Sequence, residues 1–140
     1  SLCESLIITR YLNDFAGAGL LPSDASALEG CLVLESTGSV LMDSVFVRSF
    51  ENNQREAQHR SPIVLEREQR RSRRCYDALE AMVGDQGDAV SLGTIAVIAA
   101  LGYAEWRAPE DDWREGRPNL RAYYEHLMQR PAFAETAPAY

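Results

Sequence analysis

Apolar positions recur at helical spacing from the first turn of the chain. Ile7, Ile8, Tyr11, Leu12 and Phe15 fall on one side of a helix over about residues 3–16. Gly17, Gly19 and Pro22 then break the pattern, and Ser23 or Asp24 can cap the next helix. A long second helix is predicted over about residues 24–57. Ala27, Cys31, Leu34, Gly38, Leu41 and Val45 recur at steps of four and three, and Leu28, Leu32, Met42 and Phe46 form an adjoining stripe. Gly38 reads either as a tolerated glycine, costing about 1 kcal/mol relative to Ala, or as a point of close approach by a neighbouring helix. Its last segment, "ENNQREAQHR", is polar and is expected to project into solvent.

Ser61 as cap and Pro62 at the first helical position restart the chain. The third helix runs to about Met82, with Leu65, Gln69, Ser72, Tyr76, Leu79 and Val83 as its inner stripe. Its outer face, "EREQRRSRR", reads as a solvated surface laced by pairs such as Glu66 and Arg70. "GDQGDAV" is a loop, after which Ser91 caps a fourth helix, "SLGTIAVIAALGYAEW". That helix is apolar on nearly every side. It is too short for a bilayer, so other helices must surround it. A fifth helix near residues 119–129 presents Leu120, Tyr123, Tyr124, Leu127 and Met128, and Pro131 ends it or starts a short last turn. With no convincing strand pattern, the prediction is an all-α bundle around a central buried helix.

Composition narrows the functional classes. The 140 residues suffice for one ordinary domain, and 46% hydrophobic with 25% charged residues reads as globular. A formal charge of −7 argues against a nucleic-acid surface. No membrane span and no signal peptide are read from the sequence, and a cytoplasmic location is expected. Cys3, Cys31 and Cys75 are odd in number and widely spaced, so free thiols are expected rather than a disulfide framework. His59 and His126 have no cysteine at ligand spacing, and no metal site is expected.

Catalytic motifs are missing from the pattern. There is no Gly-rich phosphate loop, no G-x-S-x-G elbow and no H-E-x-x-H. Cys3 lies near a helix N-terminus, which favours a thiolate, but Glu4 beside it opposes that effect. Trp106 and Trp113 flank a connection and read either as the lining of a ligand pocket or, more commonly for such residues, as aromatic edges of the core.

Three stretches carry a family resemblance. "CESLIITRYLN", "SLGTIAVIAALGYAEWR" and "DDWREGRPNLRAYYEHLMQRPAFAETAP" resemble, in that order, parts of bacterial cytosolic glutathione transferases. The first resembles the Glu–Ser turn and the helix that closes the thioredoxin-like half. The second resembles the buried central helix of the all-helical half, and the third the bacterial ending with its Pro-x-Leu, aromatic pair and Arg-Pro-x-Phe. The long second helix and the third also fit in length and order. The resemblance implies a glutathione transferase C-terminal-like helical bundle. Residues 1–16 would be the last helix of a mostly missing thioredoxin-like domain, 17–23 a linker and 24–140 the helical domain.

By the same resemblance, Glu4 and Ser5 hold the γ-glutamyl end of glutathione, the co-substrate. A helix N-terminus suits that task, because its open N–H groups hold a carboxylate while an acidic side chain attracts an ammonium. Met42, Phe46 and Trp106 are expected to line the site for a small hydrophobic electrophile. A complete protein would conjugate the two as a homodimer. The thiol-activating residue of the family precedes this segment, so the 140 residues alone are expected to be inactive. One departure is Thr94, which stands where the central helix of the family carries an acid, and a weaker helix start is expected there. The alternative is a non-catalytic helical dimerisation or docking module, using the exposed apolar face of residues 7–15.

Overall fold

The computed structural model describes residues 1–84 and 89–138. Four positions of the loop expected at "GDQGDAV", 85–88, lie outside them, as do 139–140. The order is α1 (Ser5–Ala16), α2 (Ala25–Gln54), α3 (Pro62–Val83), α4 (Leu92–Arg107), α5 (Pro118–Leu127) and α6 (Pro131–Ala134), with 3-10 turns at Ala57–His59 and Pro109–Asp111. No strand occurs among the described residues. The second helix stops at Gln54 rather than near residue 57, and Pro131 does begin a short helix of its own.

The starts follow the predicted caps. Asp24 accepts the N–H of Ala27 at 2.9 Å, Ser61 that of Val64 at 3.4 Å and Ser91 that of Thr94 at 3.1 Å. Thr94 does more than complete a weak box. Its buried hydroxyl accepts from the Tyr123 hydroxyl at 3.2 Å and donates to the Ala89 carbonyl at 3.4 Å, so it ties the start of α4 to α5. The start of α5 has no cap of its own. Glu80 of α3 accepts from the backbone N–H groups of Asn119 (3.1 Å) and Leu120 (2.7 Å) instead.

The core lies where α2, α3, α4 and α5 meet. Leu41, Val45, Tyr76, Leu79, Val97, Leu101, Leu120 and Leu127 are all essentially inaccessible. The most extensive packing is α2 on α4, followed by α2 on α3. At the first of these, Gly38 resolves the open reading in favour of close approach. A Cβ there would lie 2.9 Å from the backbone carbon and oxygen of Ala96. Gly93 repeats the device from the other side, where a Cβ would meet the Cys31 carbonyl oxygen at 2.5 Å. By length and hydropathy α2 could cross a bilayer, but its inner face, including Leu34, Leu41 and Val45, is buried in this bundle.

Two expectations need correction. The central helix is not enclosed on every side: Ala99 is exposed and Ile95 only half-buried, along one edge of α4. Nor is the arginine-rich face of α3 wholly solvated, since Glu68 within it is 3% exposed. Its position three residues after Leu65 and four before Ser72 puts it on the inner stripe. There the Glu68 backbone carbonyl accepts from the Ser44 hydroxyl of α2 at 2.7 Å, and Ser44 and Ser72 share a bond at 3.0 Å.

α1 is placed differently from the other helices. Its polar side faces the bundle, with Asn13 buried and Leu6, Thr9 and Arg10 half-buried. Its apolar side points away: Ile7, Tyr11, Leu12 and Phe15 are all more than half exposed. Asn13 accepts from the backbone N–H of Leu20 at 2.7 Å, and the Leu20 carbonyl accepts from Leu92 at 3.0 Å, which hangs α1 from the start of α4.

Candidate functional site

The turn entering α1 combines unusual backbone with open polar groups. Glu4 has φ 71° and ψ 120°, a region an L side chain adopts only at a cost of about 1–3 kcal/mol. Such strain persists where surrounding structure or a ligand role maintains it. The Glu4 carbonyl accepts from Ile7 (3.1 Å) and Ile8 (3.0 Å), so the helix starts by its backbone alone. Neither Glu4 nor any other side chain caps it. The first N–H groups of the helix therefore face outward beside the exposed carboxylate of Glu4 and the exposed hydroxyl of Ser5. Together they offer donors and a positive helix end to an anion, and a negative side chain to an ammonium, within one turn. Cys3 is exposed just before this turn, while Cys31 and Cys75 are buried, and all three are free thiols.

The three residues expected at a hydrophobic site are spread over two helices. Met42 and Phe46 stand one turn apart on α2. Met42 is half-buried against the core, and Phe46 is 56% exposed with its ring against Phe50 at 6.2 Å. Trp106, near the end of α4, is half-buried. It meets Tyr103 edge-on at 5.9 Å, with the Arg107 guanidinium 3.4 Å above its ring. None of the three lines the apolar cavity beside α4. That cavity, about 610 Å3, opens along the exposed edge of α4 between Leu20, Ile95, Ala99, Gly102, Phe133 and Pro138. Its size is that of a small-molecule pocket, and its walls are almost wholly apolar.

A buried polar network lies at the other end of the bundle. Arg48 of α2 donates to Asp111 at 2.6 Å and to Glu110 at 2.8 Å, and the Tyr76 hydroxyl donates to the same Asp111 oxygen at 3.0 Å. Burial disfavours the Arg48 cation, but the bond and charge of Asp111 outweigh that and hold its pKa above the usual value. Burial, followed by the nearby Asp111 charge, pushes the Tyr76 hydroxyl far above its ordinary range. Tyr124 is pushed up to about 12 by burial and by Glu105, which accepts its hydroxyl bond at 3.1 Å. Glu68 moves the other way: hydrogen bonds from Arg67 and Arg71 overcome its burial and hold it below the usual carboxylate range. The bonds of Arg48, Tyr76 and Tyr124 fasten the fold, joining α2 and α3 to the Pro109–Asp111 turn and α5 to α4. Sequence reading missed Arg48, although it falls on the stripe Leu34, Gly38, Leu41, Val45, and a charged residue on an apolar stripe was the signal. Among the described residues no three His, Cys, Asp or Glu side chains gather as a metal-ligand set.

An all-helical bundle with a central apolar helix, preceded by a helix that turns its apolar face outward, defines the class. Residues 62–126 match the family described as glutathione S-transferase, C-terminal domain. The uncharacterized GST-like protein YibF of Escherichia coli (strain K12) is 32% identical over 139 residues, spanning 96% of this chain and 68% of that protein. A glutathione S-transferase of Methylobacterium radiotolerans, solved with glutathione sulfonate, superimposes with a TM-score of 0.91 at 31% identity, over 99% of this chain and 68% of its own. A glutathione transferase family member of Pseudomonas fluorescens, solved with bound glutathione, gives 0.93 at 30% identity, over 99% and 69%. The chain belongs to the glutathione S-transferase family, and spans about two thirds of the length of these relatives.

Proposed function

We propose that this chain is the helical part of a glutathione transferase whose complete form binds glutathione and conjugates it to small hydrophobic electrophiles. The observation that carries the reading is the strained, uncapped Glu4–Ser5 turn, in a chain whose structural relatives were solved with glutathione or its sulfonate bound. In this reading the open N–H groups of Ser5 and Leu6 and the Ser5 hydroxyl hold the γ-glutamyl carboxylate, and Glu4 attracts its ammonium. Residues 1–16 close a thioredoxin-like domain that covers Ile7, Tyr11, Leu12 and Phe15, 17–23 link the two, and 24–140 form the helical domain. Met42, Phe46 and Trp106 line the electrophile side. The complete protein is a cytoplasmic homodimer.

Isotope-labelled chain titrated with glutathione tests the site. Amide shifts at Ser5 and Leu6 that saturate in the millimolar range, and that Ser5→Ala weakens, support it; shifts confined to other helices overturn it. Glutathione with an aromatic electrophile tests the division of labour. The 140 residues alone are expected to give no turnover, and clear conjugation by them would refute that assignment.

The outward apolar face of α1 favours a second reading, a docking module without catalysis. Sedimentation separates the two: a chain that associates through residues 7–15 and never shifts at Ser5 with glutathione is such a module.

A further inference from the structure

α1 meets the helical bundle through polar groups, so its angle depends on very few bonds. One is local, from the N–H of Leu20 to Asn13, closing the connection that comes after the helix. Another crosses from α1 to α2. Arg10 donates from its guanidinium to Glu35 at 2.6 Å. The two partners are unequal: the Glu35 side chain is 3% exposed and that of Arg10 39%. A carboxylate buried on an otherwise apolar helix face is costly without a partner, and Arg10 is the cation that approaches it. Asn13 anchors the end of α1 and Arg10 its middle. Arg10 is the inter-helix anchor nearer the Glu4–Ser5 turn, five residues or about 7.5 Å of helix away.

We propose that Arg10 and Glu35 are positioning residues for the Glu4–Ser5 turn. Their ion pair fixes the tilt of α1 against α2, and with it the place at which a γ-glutamyl group is held relative to the helical domain. Neither side chain touches the ligand. The ligand part of this inference rests on the glutathione reading above; the clamp itself rests on the geometry of α1 and α2.

Amide hydrogen exchange on the full 140-residue chain tests it, with glutathione as the probe in a second arm. Glu35→Gln keeps the shape of the buried side chain and removes its charge. It is expected to speed exchange of the Thr9–Asn13 amides about tenfold, while the Val97–Leu101 amides of α4 change by less than about twofold. Arg10→Lys, which keeps the cation, is expected to retain most of the protection. Arg10→Ala strands a buried charge; should it not fold, Glu35→Gln still decides. Glu35→Gln is expected to raise the glutathione Kd read at the Ser5 amide about fivefold, and Arg10→Lys to leave it close to that of the unmodified chain.

Unchanged α1 exchange in Glu35→Gln, or equal acceleration of α1 and α4, overturns the clamp. A faster α1 without any glutathione shift at Ser5 in the unmodified chain keeps the clamp and overturns the glutathione reading alone. A Ser5 shift that Glu35→Gln leaves untouched keeps the glutathione reading and overturns the positioning role of the pair.

Discussion

α1 and the α2–α4 pair solve the same problem in opposite ways. Where α2 crosses α4, two glycines let backbone touch backbone, with Gly38 against Ala96 and Gly93 against Cys31, and the apolar faces are sealed between them. α1 attaches by Arg10, Asn13 and the Leu20 carbonyl, and turns Ile7, Tyr11, Leu12 and Phe15 to solvent. At this crossing the hydrophobic surface is consumed by contacts the chain itself supplies, although Phe46 of α2 and Ala99 of α4 stay exposed away from it. α1 meets the bundle with its polar side and leaves its apolar side exposed. In an amphipathic helix, the side that faces the body shows which body it was patterned for.

The contrast can be broken most forcefully at the far end of α2. Arg48→Ala leaves the Asp111 carboxylate, 1% exposed, without its cation. A loss of about 3–5 kcal/mol is expected in denaturant unfolding. Replacing Asp111 by Asn in the same chain should recover part of it, since the uncompensated charge is the larger cost.

The glycine crossing comes next. Gly93→Ala pushes a methyl into a carbonyl oxygen and is expected to cost about 2–3 kcal/mol. Gly38→Ala should cost about 1–2 kcal/mol, even though alanine is the better helix former by about 1 kcal/mol. If Gly38→Ala stabilises the chain instead, the backbones of α2 and α4 are not in contact at this crossing.

pH sharpens the picture from the alkaline side. Tyr124 titrates near 10 when unfolded and at about 12 when folded, and Tyr76 and Tyr123 are raised as well. The unfolded chain gives up these protons first. Their contribution is therefore present in full below pH 10 and is lost as pH rises from there through 12. Unfolding free energy measured against pH should decline in that window, and Tyr124→Phe should flatten the decline.

The smallest effect on stability is expected at α1. Ile7→Ser with Phe15→Ser should change bundle stability by less than about 0.5 kcal/mol, because both side chains are already wetted. Association measured by sedimentation should nevertheless fall. A large loss of stability would mean that this face is covered within the chain.

Helices were legible because each carries its own period and its own stop. Asp24, Ser61 and Ser91 cap as their positions promised, and Gly17, at φ 58°, ends α1 in the left-handed conformation that glycine adopts readily. The apolar character of α4 foretold its central place. Less legible was anything set by a partner distant in sequence. Glu80 capping α5, Thr94 joined to Tyr123 and Arg48 joined to Asp111 pair residues 29 to 63 positions apart, and local pattern carries no record of such distances. Glu68 was misplaced because its neighbours are arginines, which made a buried position look like part of a solvated run. Glu4 and Ser5 could be singled out by resemblance, but the φ of 71° at Glu4 could not, since nothing in a glutamate announces it.

The sequence by itself therefore determined where the capped helices begin, which faces are apolar, and that the body is all-helical. Those are properties of neighbours along the chain, governed by sterics, capping and periodicity within a few residues. Only the tertiary structure decided which face of α1 looks inward, which edge of α4 stays open over a cavity, and which buried charges find partners. Those outcomes depend on how separate helices share space and charge, and that is settled only when they pack.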